Sequence, residues 1–302
     1  MGFALTPQGE IVPLKTTPEE AIELLQKEKV QFVDLQFTDM PGRLHHVTVP
    51  ARIIDRAIFD EGVPKLDGSS IRGFADIHNS DMVLFPDPST ISIIPWLPAD
   101  QKTARMICDI HWGYDQGRLS RDPRYIAQQA EKAIETAGFE SSLWGPEIEF
   151  FVFDEVKWDT QFPQSGVGYQ ISSKEAAWSS SGTNYPIRFK EGYFPVPPHD
   201  TLMEFRSRCS QALEESFGIL TDAHHHEVAT AGQCEIDIYR DTLTQMADTA
   251  MSYKYVIKNM AAQMGTIATF MPKPFFGDNG SGMHVNVSLW SNGINRFYDA
   301  KD

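Results

Sequence analysis

Cysteine is scarce in this sequence, and its placement suggests neither a disulfide framework nor a zinc site. The three cysteines in 302 residues are Cys108, Cys209 and Cys234. They are odd in number, widely spaced and form no C-x-x-C pair, which is the spacing typical of zinc knuckles and redox motifs. We therefore predict free thiols in a reducing compartment.

Long apolar runs are also missing. No run approaches the ~18 to 20 residues that a membrane-spanning helix needs. The N-terminal residues lack the basic and then apolar pattern of a signal peptide. We expect a cytoplasmic protein with no membrane partner.

Basic residues are outnumbered by acidic ones. The chain has 26 Lys and Arg against 41 Asp and Glu, which gives a formal net charge of −15. Such a balance argues against nucleic acid or an anionic membrane as the main partner, and it suits a soluble metabolic enzyme. With 41% hydrophobic residues the chain is long enough to bury a sizeable core, and its length favours two domains.

The order of elements predicts an α+β protein with an N-terminal domain at 1–113 and a second domain at 114–302. Thr17, Pro18 and Glu20 form a capping box that begins a helix. The alternating residues after it predict a half-buried strand at 30–39, and several short strands follow. A second long helix, capped by Asp122, opens the second domain.

The second domain carries carboxylates inside apolar strand patterns. The segment GPEIEFF places Glu147 and Glu149 two residues apart within a strand predicted over 139–154, so both side chains leave the same face. Two like charges so placed require a positive partner or water. Glu227 and Glu235 flank a predicted reversal at 231–232, and a hairpin there brings them to a common wall. With His284, these carboxylates form an oxygen-rich set that suits Mg²⁺ or Mn²⁺ better than Zn²⁺.

Each pattern taken alone has a structural alternative. An E-x-E pair is also typical of a solvated sheet edge, and Asp67 before Gly-Ser-Ser is typical of an Asx turn. The run His224-His225-His226 is compatible with a surface position. Residues 279–282 fit an ordinary loop as well as an anion-binding one.

Five motifs in order, however, resemble those of type I glutamine synthetase. They are Asp67-Gly-Ser-Ser, GPEIEFF at 145–151, GYFPVPP at 192–198, HHHEVATAGQ-x-E at 224–235 and NGSGMH at 279–284. The resemblance runs from about Phe32 onward. It implies an N-terminal β-grasp domain and a catalytic domain with a curved antiparallel sheet and helices. It also implies a homo-oligomer, a dodecamer of two hexameric rings, with active sites between subunits.

The resemblance further implies a reaction and two or more metal ions. The reaction is ATP-dependent ligation of ammonium to the side-chain carboxylate of L-glutamate through a γ-glutamyl phosphate. Glu149, Glu227 and Glu235 match the ligands of the Mg²⁺ or Mn²⁺ ion that orients glutamate. Glu147 and His284 match ligands of the second ion, at the β- and γ-phosphates of ATP.

The remaining implied roles are those of substrate and nucleotide contacts. Asp67, supplied by the adjacent subunit, matches the residue that takes a proton from ammonium, and Tyr193 helps to form the cation pocket. Asn279 and Gly280 belong to the loop that holds glutamate. The implied nucleotide contacts are His225, Tyr239 and Asn286.

Three departures from the family pattern accompany the resemblance. Asn286 stands where many type I enzymes have a second histidine. Tyr239-Arg240 appears in exchanged order where an aromatic residue meets the adenine ring. The family continues for roughly another third of its length after Asp302, with substrate-binding arginines and a further metal ligand, so we expect no turnover by the chain alone.

Other functions fit parts of the pattern. A relative that ligates another amine is disfavoured by Asp67 and Tyr193, which suit a small cation pocket. A non-catalytic assembly protein is disfavoured by the full ligand set, because buried carboxylates without a metal reduce stability. A two-metal phosphohydrolase would use similar ligands, but no residue is dedicated to a water nucleophile.

Overall fold

The computed structural model describes residues 2–5, 11–14, 16–113, 117–161, 164 and 166–299. The elements before residue 114 are β1 (Gly2–Leu5), β2 (Ile11–Leu14), α1 (Pro18–Lys27), β3 (Phe32–Thr38), β4 (Leu44–Pro50), α2 (Arg56–Glu61), β5 (Val63–Asp67), β6 (Asp81–Pro86), β7 (Ser92–Ile93) and β8 (Thr103–Trp112). Short 3₁₀ turns lie at Ala51–Ile53, Gly68–Ser70, Ile77–Asn79, Pro88–Thr90 and Ala99–Gln101.

The later elements build the second part of the molecule. They are α3 (Pro123–Thr136), β9 (Ser141–Ile148), β10 (Phe150–Phe153), β11 (Glu155–Asp159), β12 (Gly168–Ser172), α4 (Met203–Phe217), β13 (Thr221–His226), β14 (Gln233–Ile238), α5 (Leu243–Gln263), β15 (Ile267–Thr269), β16 (Met283–Ser291) and β17 (Ile294–Asn295). The combination confirms the predicted α+β class. Among the helices of the described residues, none has both the length and the hydropathy to cross a bilayer.

Helix α1 begins as its sequence predicts. The Thr17 hydroxyl accepts a hydrogen bond from the Glu20 backbone N–H, and the Glu20 carboxylate accepts one from the Thr17 N–H at 2.7 Å. Ala21 and Leu25 on the inner face of α1 are buried in the N-terminal core. The capping box therefore sets the start of the helix that covers this sheet.

The N-terminal sheet has the strand order β4-β3-β8-β6-β5, with β7 beside β8. Strands β3 and β8 are parallel, and the other pairs are antiparallel. The prediction that β3 is half-buried is wrong, because Asp34 and Gln36 are only 7% and 2% exposed. Tyr255 of α5 lies against these two side chains, so both faces of β3 are covered.

The predicted domain boundary remains a prediction. The residues on which it falls, 114–116, lie outside the described part of the chain. The contacts across it include aromatic packing of Trp96 against Phe217 and Tyr255, and a polar cluster around buried Arg124. Arg124 of α3 donates hydrogen bonds to Asp87 and Asp109 of the N-terminal part and to Asp248 of α5, at 2.5, 2.6 and 2.9 Å.

Two antiparallel sheets and the separate β11–β12 hairpin lie in the second part. One has the order β13-β14-β10-β15 and the other β17-β16-β9. Helices α4 and α5 pack on one face of the first sheet, where Phe150, Leu213 and Tyr253 belong to one core. Along β14, Cys234 and Ile236 belong to that core, so the residues that alternate with them, among them Glu235, face the opposite side.

Three local predictions are corrected. The strand expected over 139–154 is two strands in different sheets, β9 and β10, with Glu149 at the break. The segment after residue 154 is rich in Ser, Gly and Pro, which predicts a long irregular stretch, but it contains the hairpin of β11 and β12. The sequence also predicts Asp200 as the cap of the next helix; α4 instead begins at Met203, and the Asp200 carboxylate accepts hydrogen bonds from the Leu202 N–H and from Arg206.

Candidate metal centre

A tight hairpin brings two of the predicted carboxylates together. Strands β13 and β14 pair with His225 opposite Glu235, and Ala231 and Gly232 turn the chain with φ of 64° and 91°. A side chain at Gly232 would clash with the Val152 carbonyl, so this reversal needs glycine. The prediction that the reversal joins Glu227 and Glu235 is confirmed. Ligand atoms of His225, Glu227 and Glu235 all lie within 4.8 Å of one another.

Glu149 reaches the same place from the junction of the two sheets. Its backbone N–H donates to the Gly282 carbonyl at 3.3 Å, and the next residue, Phe150, pairs with Cys234 of β14. The pKa of Glu149 is raised by burial and by the charge of Glu227. Because the strand breaks between β9 and β10, Glu147 lies in one sheet and Glu149 lies where the chain enters the other.

Glu147 and His284 face each other across β9 and β16, which pair in register at these residues. The Asn286 side-chain amide donates to Glu147 at 2.8 Å. A Cβ at Gly282 would lie 3.1 Å from His284 Nε2 and 3.2 Å from Glu149 Oε1. Because Gly282 has no side chain, the His284 imidazole and the Glu149 carboxylate can both lie close to its backbone.

We call this group the acidic site: Glu147, Glu149, Glu227, Glu235 and His284. The pKa of Glu235 is raised to about 8 by burial and then by the charges of Asp237, Glu227, Glu149 and Glu147. Within the described residues, no lysine or arginine lies within 4.0 Å of these carboxylates; the ion pairs recorded for them involve only His225. Buried carboxylates without a balancing cation are costly.

A glutamate of the acidic site and the neighbouring His225 each have one polar atom without a partner. Glu235 Oε1 and His225 Nδ1 are buried and make no hydrogen bond. Carboxylate oxygens with one or two imidazole nitrogens match the ligand preferences of Mg²⁺ and Mn²⁺. The residues present therefore fit divalent cations, and the structure adds His225 and the nearby Asp237 to the possible ligands.

A polar pocket of about 340 Å³ adjoins Glu147. Its lining includes Glu147, Asp222, Asp237, Tyr239, Arg240 and Asn286. Two of the three predicted nucleotide contacts, Tyr239 and Asn286, are thus brought together beside the acidic site. The third, His225, lies instead with Glu227 and Glu235. Both Tyr239 and Arg240, the pair in exchanged order, line the pocket.

The predicted ammonium-site residues lie in different places. Tyr193 stacks on Phe194 with ring centroids 4.0 Å apart. The centroids of the Tyr193 and His225 rings are 5.9 Å apart and the two planes are nearly perpendicular, so Tyr193 lies beside the acidic site. Asp67 lies at the end of β5, where its carboxylate accepts hydrogen bonds from the Ser69 N–H and hydroxyl. These bonds, led by the Ser69 hydroxyl, lower the pKa of Asp67. The Asx-turn alternative for Asp67 is confirmed; it does not test the catalytic role.

The loop that carries Asn279 and Gly280 is fixed by contacts with neighbouring backbone groups. A side chain at Gly280 would clash with the Pro272 carbonyl, which also accepts a hydrogen bond from the Ser281 N–H. Buried Asp278 accepts hydrogen bonds from the backbone N–H groups of Thr230 and Lys190 at 2.7 and 3.0 Å. One carboxylate thus joins this loop to the β13–β14 turn and to the segment that carries Tyr193.

The sequence interpretation missed Asp278, Gln233 and Asp237. Gln233 and Asp237 stand two residues on either side of Glu235, so strand alternation alone places all three on one face. That signal was available. Asp278 gives no comparable signal, because the groups it binds are distant in sequence.

These features define a class of α+β proteins in which two antiparallel sheets bring together an acidic site whose residues fit divalent cations. Residues 29–113 match the family described as glutamine synthetase, beta-Grasp domain, and residues 120–302 match glutamine synthetase, catalytic domain. The chain belongs to the glutamine synthetase family. This confirms the resemblance and the expected β-grasp and catalytic folds.

Individual relatives agree with this assignment. The chain is 51% identical over 290 residues to the glutamine synthetase of Sulfolobus acidocaldarius, covering 96% of this chain and 60% of the relative. It is 46% identical to that of Frankia alni, covering 94% and 60%. A solved glutamine synthetase of Plasmodium falciparum superposes with a TM-score of 0.85 at 27% identity, covering 95% of this chain and 56% of that one. The chain thus spans about three fifths of the length of these curated relatives.

Proposed function

We propose that this chain is the N-terminal and metal-binding part of a glutamine synthetase. The complete enzyme ligates ammonia to the side-chain carboxylate of L-glutamate, through a γ-glutamyl phosphate, and forms glutamine, ADP and phosphate. The observation that carries the proposal is the convergence of the acidic site, whose residues come from three strands, the β9–β10 junction and the β13–β14 turn, and whose glutamates have no lysine or arginine partner within the described residues. We expect the chain alone not to turn over.

Two Mg²⁺ or Mn²⁺ ions fit the acidic site. Glu149, Glu227 and Glu235 would hold one ion, and Glu147 and His284 would hold the other. Bound there, such ions neutralise phosphoryl oxygens and act as Lewis acids. The protein itself positions the carboxylates, and the Asn286 amide orients Glu147 from the side of the nucleotide pocket.

The substrates are assigned to the pocket and the loop that adjoin the acidic site. ATP occupies the pocket lined by Tyr239 and Asn286, with His225 close to its phosphates. L-glutamate lies against the loop of Asn279 and Gly280. The rigid support of that loop by Asp278 suits a binding role, because a fixed loop loses little entropy when a ligand binds.

Ammonium capture requires a second subunit. Asp67 is exposed, and its carboxylate accepts hydrogen bonds from three serines, Ser69, Ser70 and Ser80. A carboxylate held ionised in this way suits capture and deprotonation of ammonium at a neighbour's Tyr193. We therefore propose a homo-oligomer, a dodecamer of two hexameric rings, with active sites between subunits.

The proposal also covers compartment and domain limits. All three cysteines are buried and free, which supports a reducing, cytoplasmic location. We place the β-grasp domain at 1–113 and the catalytic domain at 114–302.

The experiment has two arms. Isothermal titration of the chain with Mn²⁺ tests the acidic site, with Glu227→Gln expected to weaken binding by at least tenfold and Glu204→Gln, an exposed helix carboxylate, expected to leave it unchanged. Phosphate release that depends on glutamate, ATP and ammonium, measured on a protein of the relatives' length, tests the reaction. Turnover with a larger primary amine in preference to ammonium would contradict the substrate assignment, and absence of Mn²⁺ binding would contradict the enzyme.

A further inference from the structure

Gln233 is a fully buried amide that touches both the acidic site and the glutamate loop. Its Nε2 donates to Glu149 Oε2 at 2.7 Å and to the Gly280 carbonyl at 3.1 Å. Its Oε1 accepts the Ala229 N–H at 2.8 Å. One side chain therefore contacts a proposed metal ligand, the loop at 277–282 and the turn between β13 and β14.

The orientation of this amide is fixed by its partners. Ala229 offers only a donor, whereas Glu149 and the Gly280 carbonyl offer only acceptors, so the amide nitrogen must face the carboxylate. Flipping it would place two oxygens against each other. The orientation also assigns the two oxygens of Glu149 to different partners.

That assignment bears on the metal. Glu149 Oε2 is held by Gln233, and Oε1 lies on the side of Gly282 and His284, within 3.2 Å of the point that a Gly282 Cβ would occupy. A carboxylate held at one oxygen presents the other in a fixed direction. Partners of this kind commonly change metal affinity by about 10- to 100-fold when they are removed.

We infer that Gln233 is a positioning residue that aims Glu149 at the metal and transmits metal binding to the loop carrying Asn279 and Gly280. The inference rests on the proposed metal site. Binding of a cation by Glu149 holds the carboxylate, the carboxylate holds the amide, and the amide holds the Gly280 carbonyl. Metal binding therefore orders the loop that is proposed to receive glutamate, before glutamate arrives.

The test combines Mn²⁺ titration with hydrogen exchange of peptides spanning 277–282, measured with and without Mn²⁺. In the wild-type chain we expect Mn²⁺ to slow exchange in this loop. In Gln233→Met, which keeps the volume but removes the three hydrogen bonds, we expect about tenfold weaker Mn²⁺ binding and no slowing at saturating Mn²⁺. Gln36→Met, which removes another buried amide in the N-terminal sheet, serves as the matched control and should match the wild type.

A second variant guards against misfolding. Gln233→Asn keeps the amide but is one methylene too short to reach Glu149 and Gly280 together, and we expect the same uncoupling. Exchange in α5 reports whether either variant is folded. Suppose that the wild type binds Mn²⁺ and that a folded Gln233 variant has the wild-type affinity and the wild-type loop protection. The inference on Gln233 is then overturned, and the proposed function is not affected. If the wild type does not bind Mn²⁺, the proposed function is overturned with it.

Discussion

Two groups of buried and partly buried carboxylates lie in this chain, and they differ in whether a cation balances their charge. In the arginine-centred cluster, Asp87, Asp109 and Asp248 surround the guanidinium of Arg124 at 2.5 to 2.9 Å. In the acidic site, by contrast, four glutamates and His284 come together, and within the described residues no lysine or arginine reaches the glutamates.

The pKa values follow this difference. Burial alone would lower the pKa of Arg124, but Asp248 and Asp109 outweigh it and raise the pKa well above its usual range. Burial would raise the pKa of Asp87, and Arg124 with Ser89 reverses that shift. At Glu235 burial and neighbouring carboxylates act together, and the pKa rises to about 8.

The comparison distinguishes a cluster whose charges are paired from one whose charges are not. The arginine-centred cluster contains its own cation and joins the two parts of the molecule. The acidic site has no lysine or arginine partner within the described residues, and this imbalance supports the proposed metal-binding function. Counting buried carboxylates alone would not distinguish the two.

The largest expected effect comes from removing Arg124, the cation of the arginine-centred cluster. Arg124→Met removes the cation from buried Asp248 and partly buried Asp87, while Asp109 keeps its ion pair with Arg118, and we expect the free energy of unfolding in urea to fall by about 3 kcal/mol. Arg208→Met, which breaks an exposed i,i+4 pair with Glu204, should change it by at most about 0.5 kcal/mol. A loss below about 1 kcal/mol for Arg124→Met would show that the cluster is not structural.

The second-largest effect is expected when Mn²⁺ supplies the positive charge that the acidic site lacks. Mn²⁺ at 100 times its dissociation constant should add about 2.7 kcal/mol to the free energy of unfolding. At the same Mn²⁺ concentration Glu227→Gln should reduce this gain to about 1.4 kcal/mol or less, because a loss of one ligand weakens binding by at least tenfold, while Arg208→Met should keep the full gain. Equal Mn²⁺ stabilisation of the wild type and Glu227→Gln would place the ion elsewhere.

The two clusters should also respond to pH in opposite senses. Because the folded metal-free chain raises the pKa of Glu235 from 4.5 to about 8, its contribution to stability is complete below about pH 4.5 and is lost as pH rises through 8. Asp87 has a lowered pKa, so its contribution is present above about pH 3.8 and is lost as pH falls further.

The measurement is thermal unfolding in the presence of a chelator from pH 5 to 9. Glu235→Gln should be more stable than the wild type at pH 9, by roughly 1 to 3 kcal/mol, and should lose this advantage near pH 5. Glu204→Gln, at an exposed helix position, should show no such crossover. A constant difference between Glu235→Gln and the wild type at all pH values would contradict the electrostatic account.

The smallest effect concerns the edge of the acidic site. Asn286→Ala removes the amide that holds Glu147, and because this bond is solvent-exposed we expect a loss of about 1 kcal/mol, or roughly fivefold, in Mn²⁺ affinity of the weaker site. Asn292→Ala, in the turn between β16 and β17, is the control and should leave both sites unchanged. An unchanged titration for Asn286→Ala would show that Glu147 needs no such support.

Much of the fold could be predicted because its signals are local. The capping box of α1, the reversal at 231–232 and the strand pattern of β14 depend on neighbours in sequence, and they match the structure. The break at Glu149 could not be predicted, because it arises from pairing with two different sheets. Burial of Asp34 and Gln36 likewise depends on α5, more than 200 residues later.

The acidic site was predicted as a set of ligands but not as a supported structure. Residue type and the resemblance pointed to the five ligands, whose convergence the structure then displays. The supports, Gln233 and Asp278, bind backbone groups that only the folded chain brings near. The arginine-centred cluster was missed for the same reason, since its aspartates at 87, 109 and 248 are far apart in sequence.

The most direct test of the central claim is the number of Mn²⁺ ions bound per chain. Equilibrium dialysis with electron paramagnetic resonance should find two ions, one tighter, with dipolar coupling between them. Glu149→Ala should remove the tighter ion, while Arg208→Met should keep both. Fewer than one ion per wild-type chain, or two ions retained in Glu149→Ala, would contradict the reading of the acidic site as a metal centre.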